Sequence, residues 1–247
     1  PPRFRVTCWE YGSPRVWGVS VQFRFGTDQV SVNIDSRARL FDLVEERFRA
    51  SGGFALATLN LDHLSRLAAD DAEGLLFRRA YEMQDFVVAD GNPVVWLSRL
   101  AGRPVELAPG SDLVLPLVEL AARNGVSVAL LGSTDEALKG AAEHLASEVP
   151  GVRVVCRIAP PFGFDPTGPE ADAMLAAVGA SGAGLCLVAL GAPRQEILAA
   201  RGRRLAPSVG FASVGAGVDF LSGHQRRAPP WVRRLALEWL WRMLINP

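Results

Sequence analysis

The chain has 247 residues, 49% of them hydrophobic, with 26 basic and 26 acidic side chains and a formal net charge of zero. That length and hydrophobic share suit one sizeable core, and the neutral balance excludes a chain that binds nucleic acid through its overall field, so no nucleic-acid partner is expected. Lys139 is the only lysine, which excludes a G-K-[ST] phosphate loop and leaves Arg, backbone N–H groups or a helix end to meet any phosphate.

Residues 1–28 are expected to form an N-terminal β-hairpin extension, with the main domain over 29–247. Val19, Val21, Phe23 and Phe25 alternate with Ser20, Gln22 and Arg24, the period of two of a half-buried strand. "RFRVTCWEYG" offers a partner strand and "YGSP" a turn, which sets the hairpin over 3–25. After Asp35-Ser36, the apolar residues Leu40, Val44 and Phe48 recur every four positions, so an amphipathic helix follows. Strand and helix patterns then alternate. Strands are expected over 54–59, 86–89, 126–131, 152–156, 185–190 and 211–214, and helices over 62–69, 93–100, 112–123, 134–147, 169–178 and 194–204. Asn92 before Pro93 reads as an N-cap followed by Pro at the first helical position. Asn124-Gly125 closes the helix before the strand at 126. Strands that are apolar throughout, separated by helices, imply a single α/β domain. Its sheet is Rossmann-like and mostly parallel, with helices on both faces.

Cys8, Cys156 and Cys186 are odd in number and far apart, which reads as thiols used as small hydrophobes in a reducing compartment. His63, His144 and His224 are isolated, so no metal site is expected and none of the three stands out as a catalytic base. No apolar run approaches a membrane span. The chain begins at Pro-Pro without Met and stops at Asn246-Pro247, as a trimmed piece would, so a missing leader excludes nothing.

In an open parallel sheet, ligands bind beyond the carboxyl ends of the strands. The residues that follow the expected strands are small or polar: Thr58 and Asn60; Asp90, Gly91 and Asn92; Gly132 and Ser133; Gly191, Arg194, Gln195 and Glu196; and Gly215, Gly217 and Asp219. Gln195 at a helix start carries both a donor and acceptors, which suits sugar hydroxyls or a uracil edge. Arg194 and Glu196 have two readings, as cleft residues or as a solvated first turn in which Glu196 complements the helix dipole. Asp90 ends an apolar strand before Gly91. Partial desolvation there raises a carboxyl pKa and suits it to accept a proton; its alternative role, capping the next helix, is already filled by Asn92. "SVGAGVDF" lacks the third glycine of G-x-G-x-x-G, which disfavours a nicotinamide-dependent oxidoreductase. From His224 to the end there are five Arg against one acid, with Trp231, Trp239 and Trp241 in the same stretch. That composition suits an anionic membrane surface or a phosphorylated lipid, while the Trp residues also suit a core-completing helix.

Eight blocks occur in order: "TLNLDHL", "ADGNPVVWLSRLAGRPVE", "PGSDL", "LLGS", "PPFGF", "ALGAPRQE", "VGAGVDFLSG" and "RRAPPWVRRLALEWLWRM". Together they resemble the WecG/TagA/CpsF glycosyltransferase family, from about Val30 to the end. The resemblance implies an inverting transferase, with no metal and no cofactor, that moves a sugar from a UDP-sugar onto a polyprenyl-diphosphate-linked acceptor. Such an enzyme works in the cytoplasm, peripherally on the inner face of a bacterial membrane. It implies Asp90 as the base, Thr58 and Asn60 as the family's Thr-x-Asn, Gln195 with Arg194 in place of the usual Lys, and Arg227 in "RAP". Leu107 stands where the family carries an Arg thought to help with phosphates, and a C-terminal membrane-contacting appendage is missing after Pro247. Those departures imply weak activity for this piece and open the alternative of a nucleotide-sugar-binding protein that has lost catalysis. Apolar surface left by the missing appendage would promote homo-oligomers.

Overall fold

The computed structural model describes residues 21–218. Asp219, Arg227, the Trp-rich segment from His224 onward and the 3–20 half of the expected hairpin lie outside them.

The chain opens with strands β1 (Val21–Phe25) and β2 (Asp28–Val32), paired antiparallel around Gly26 and Thr27. Within the described residues the alternating strand pairs with the segment that follows it, and the expected partner "RFRVTCWEYG" lies outside them. The hairpin therefore spans position 28. Gly26, at φ 61°, supplies the left-handed turn of this hairpin. Helix α1 (Arg37–Arg49) follows, capped by the Ser36 hydroxyl, and buries Leu40, Val44 and Phe48 as their spacing requires.

A six-stranded sheet holds the rest: β3 (Phe54–Leu59), β4 (Phe86–Ala89), β5 (Ser127–Gly132), β6 (Val154–Ile158), β7 (Ala183–Ala189) and β8 (Gly210–Ser213). The spatial order is β4-β3-β8-β7-β5-β6, and every pairing is parallel. The connecting helices are α2 (Leu61–Leu67), α3 (Ala72–Glu82), α4 (Asn92–Leu100), α5 (Gly110–Arg123), α6 (Asp135–Glu148), α7 (Pro169–Ala180) and α8 (Arg194–Leu205).

Alternate strand residues feed opposite layers, which is why these strands read as continuous apolar runs. Phe54, Leu56, Leu130 and Leu187 pack with α1, α5 and α6. Ala57 and Leu59 pack with the hairpin, α2, α3 and α4, and Cys186, Val188 and Phe211 pack with α7 and α8. Helix α3 was not expected from the sequence. Its apolar pattern misleads: Leu75 and Leu76 are exposed, whereas Gly74 and Arg78 are buried. Arg78 donates to the Leu67 and Ala69 carbonyls and to Asp28 at 2.7–2.8 Å, tying the hairpin to the α2–α3 corner.

Candidate functional site

Because all six strands run the same way, their carboxyl tips share one edge. In spatial order that edge carries Asp90 and Gly91 after β4, Thr58 and Asn60 at the tip of β3, Gly215 after β8, Gly191, Arg194 and Gln195 after β7, and Gly132 and Ser133 at the tip of β5. Residues far apart in sequence are thus neighbours in space.

The β3 and β4 tips touch. Thr58 pairs in register with Val88, and the Asp90 amide donates to the Leu59 carbonyl at 2.8 Å. A Cβ on Gly91 would lie 3.9 Å from the Asn60 Cβ. Asn60 caps α2, its Oδ1 accepting the His63 amide at 2.9 Å. Asn92 does not cap α4, contrary to its sequence signal: Gly91 occupies the cap position and no side chain bonds there. The positive φ of Gly91, 111°, turns the chain into the helix one residue early and moves Asn92 into the first turn. The backbone of Gly91, not the side chain of Asn92, opens the helix.

Beneath Thr58 lies a buried polar cluster that the sequence did not reveal. The Tyr81 hydroxyl donates to the Thr58 carbonyl at 2.7 Å. His63 Nδ1 lies 2.8 Å from the Tyr81 oxygen and 2.9 Å from the same carbonyl. With the phenol proton spent on Thr58, both contacts require a proton on Nδ1, so His63 is the neutral Nδ1–H tautomer. Burial agrees with this, lowering the His63 pKa to about 4 against the pull of the Thr58 carbonyl. The Tyr81 phenol is held well above its usual range, first by burial and then by the negative fields of Glu196 and Asp90. The Tyr81–Thr58 hydrogen bond and the Asp90 amide bond to Leu59 put Tyr81 and the β3 and β4 tips in one neighbourhood.

On the other flank, Gly132 at φ 120° lies so close to β7 that a Cβ would collide with the Ala189 carbonyl oxygen. Only glycine fits there. Ser133, itself at φ 49°, donates its amide to that oxygen at 2.9 Å, and Thr134 caps α6. Gly217 is likewise a packing glycine. A Cβ there would lie 2.9 Å from Val114 and 3.0 Å from the Ser111 Cα, so "VGAG" seats the β8 exit against α5.

The start of α8 divides its three polar residues. Arg194 is exposed, as a solvated first turn would have it. Glu196 is 0% exposed, which rules out that reading for it. Gln195 is 3% exposed; its Nε2 donates to Glu196 Oε1 at 2.7 Å and its Oε1 accepts the Gly215 amide at 2.9 Å. Burial raises the Glu196 pKa to about 7, only partly opposed by the Gln195 hydrogen bond. Leu107, bridged beside Ala89, offers its carbonyl to Arg37 Nε and Nη2 at 3.0 and 2.8 Å, and Arg37 also pairs with Glu106 and Asp112. Among the described residues, no group of three or more His, Cys, Asp or Glu side chains could hold a metal ion. Nor is any helix there long and apolar enough to cross a membrane.

Tyr81 is the residue that sequence reasoning missed, and Glu196, weighed there under two readings, is the one whose burial it left open. Tyr81 had a signal, its i, i+4 spacing from Phe77, with which its ring packs at 5.1 Å between centroids. For the burial of Glu196 there was none, because an acid in a first helical turn reads as exposed.

The profile of the glycosyl transferase WecG/TagA/CpsF family matches residues 27–247. An N-acetylglucosaminyldiphosphoundecaprenol N-acetyl-beta-D-mannosaminyltransferase of Bacillus subtilis (strain 168) is 30% identical over 166 residues, 66% of this chain and 62% of that protein. The protein of the same name from Bacillus spizizenii (strain ATCC 23059 / NRRL B-14472 / W23) is 30% identical over 165 residues, again 66% and 62%. The chain thus spans less than two thirds of the length of these relatives.

Proposed function

Since the chain belongs to the WecG/TagA/CpsF glycosyl transferase family, we propose that it moves a sugar from a UDP-sugar to a polyprenyl-diphosphate-linked acceptor sugar in cell-surface polysaccharide synthesis. The single observation that carries this reading is the convergence of Thr58, Asp90 and the Gln195–Gly215 pair on one sheet edge. The relatives' names support the acceptor class and an N-acetylhexosamine as the donor sugar.

In the proposed reaction the Asp90 carboxylate takes the proton from an acceptor hydroxyl. The oxygen attacks the anomeric carbon as the bond to UDP breaks, and its electron pair leaves with UDP, inverting the centre. The growing phosphate charge is met by backbone N–H groups at helix starts beyond Gly132 and Gly191, and by Arg227, which lies outside the described residues. Thr58, Asn60, Gly91, Asn92, Ser133 and Arg194 line the remaining edge, with Asp219 likewise outside the described residues. No metal takes part.

The enzyme is read as working in the cytoplasm, peripherally on the inner face of the membrane. Helix α4, which opens directly behind Asp90, supports that placement: Trp96 and Leu100 are 56% and 84% exposed, one turn apart, and Arg99 is exposed between them. Residues 91–105 contain two Arg and no acid, a face suited to anionic lipid.

The test is calorimetric titration with UDP and UDP-N-acetylmannosamine, beside turnover on a short-chain N-acetylglucosaminyl-diphosphoprenol in EDTA. Expected are UDP binding and metal-free turnover, with the product anomer inverted by NMR. Leu107, in place of a cation, favours a second reading as a nucleotide-sugar-binding protein; binding without turnover would select it. Failure to bind UDP contradicts both.

A further inference from the structure

The Gln195 side chain lies between two partners that demand opposite ends of it. The Glu196 carboxyl needs the amide's N–H and the Gly215 amide needs its C=O, at 2.7 and 2.9 Å. A carboxamide has no preference of its own between these orientations; the Gly215 N–H and the acceptor at Glu196 fix it together, and Glu196 is the one of the two that a side-chain substitution removes. We infer that Glu196 is a positioning residue for the proposed transfer: its carboxyl holds the Gln195 amide in the orientation that pins Gly215, so that the β7 and β8 tips form one rigid wall of the cleft. This rests on the function proposed above for the meaning of the cleft, though not for the clamp itself.

Three observations support the assignment. First, β8 lies between β7 and β3, so Gly215 stands between the Gly191–Gln195 turn and Thr58. Second, α8 is anchored at the same residue from behind, where Gln84 Nε2 donates to the Glu196 carbonyl at 3.1 Å. Third, stability does not account for the residue. Glu196 Oε2 is buried without a hydrogen-bond partner among the described residues, a placement that opposes folding and that an unbranched apolar side chain would relieve.

The test compares Glu196→Gln, which keeps an acceptor, with Glu196→Met, which fills the space without one. The first readout is hydrogen exchange at the Gly215 amide in the full chain. Glu196→Met and Gln195→Ala are expected to exchange roughly tenfold faster than wild type, the order for losing one hydrogen bond, and Glu196→Gln at the wild-type rate. The second is kcat/KM with UDP-N-acetylmannosamine, expected to fall roughly tenfold in Glu196→Met and to be restored in Glu196→Gln. A folded Glu196→Met protein with wild-type Gly215 exchange overturns the clamp. Faster exchange with unchanged kcat/KM overturns its part in the reaction. A wild type that neither binds UDP nor turns over refutes the proposed function, while exchange still decides the clamp.

Discussion

Glu196 and His63 are buried on neighbouring elements and titrate in opposite senses. Glu196 moves from an ordinary 4.5 to about 7 through burial, so the folded chain keeps a proton that the unfolded chain loses. Its contribution to stability therefore declines as pH rises from about 4.5 to 7, by about 3 kcal/mol in all. His63 moves from 6.5 to about 4, so its contribution is present above 6.5 and is lost as pH falls towards 4. The two trends oppose each other between about 4.5 and 6.5. Glu196→Gln removes one of them. Its melting temperature, compared with wild type by scanning calorimetry, is expected to match near pH 4.5 and to exceed it by several degrees at pH 8. A difference that does not change with pH would contradict the burial of an ionisable carboxyl. At this scale the sequence exposed the strand-tip residues Thr58, Asp90 and Gln195 as candidates, because a polar residue ending an apolar run is visible. It hid the partners that fix them, because nothing local marks Tyr81 as facing Thr58 or Glu196 as facing inward.

Among the elements, those whose buried face matched their apolar pattern were legible. Helix α1 and strands β3 and β4 stand where periodicity put them. Helix α3 does not follow that rule, since its inner face is built from Gly74, Phe77, Arg78 and Tyr81. Arg78 is satisfied by two carbonyls and Asp28, so Arg78→Ala leaves those groups without their donor. A loss of about 3 kcal/mol is expected from urea unfolding, and a loss below about 0.5 kcal/mol would show that the corner holds without it. The β5–α6 turn is equally constrained. Gly132→Ala must displace either its left-handed backbone or the Ala189 carbonyl, a strain of about 1–3 kcal/mol. Weaker UDP binding by calorimetry is expected to accompany the lower melting temperature; unchanged UDP affinity would remove this turn from the site.

For the molecule as a whole, an all-parallel sheet with both faces covered explains why separate motifs could be read as one site. Each strand–helix junction delivers its polar residues to the same edge, whatever their distance along the chain. The sheet and its edge were legible because they need only period and punctuation. The β1–β2 pairing was not, because β2 is short and its pairing depends on the turn at Gly26. The central claim, that this edge is a sugar-transfer cleft with Asp90 as its base, is tested most directly by Asp90→Asn. UDP affinity by calorimetry and turnover of UDP-N-acetylmannosamine would be measured on the same preparation. The account predicts UDP binding within about threefold of wild type and a rate at least roughly a hundredfold lower, the usual worth of a general base. Turnover of Asp90→Asn at the wild-type rate would contradict it.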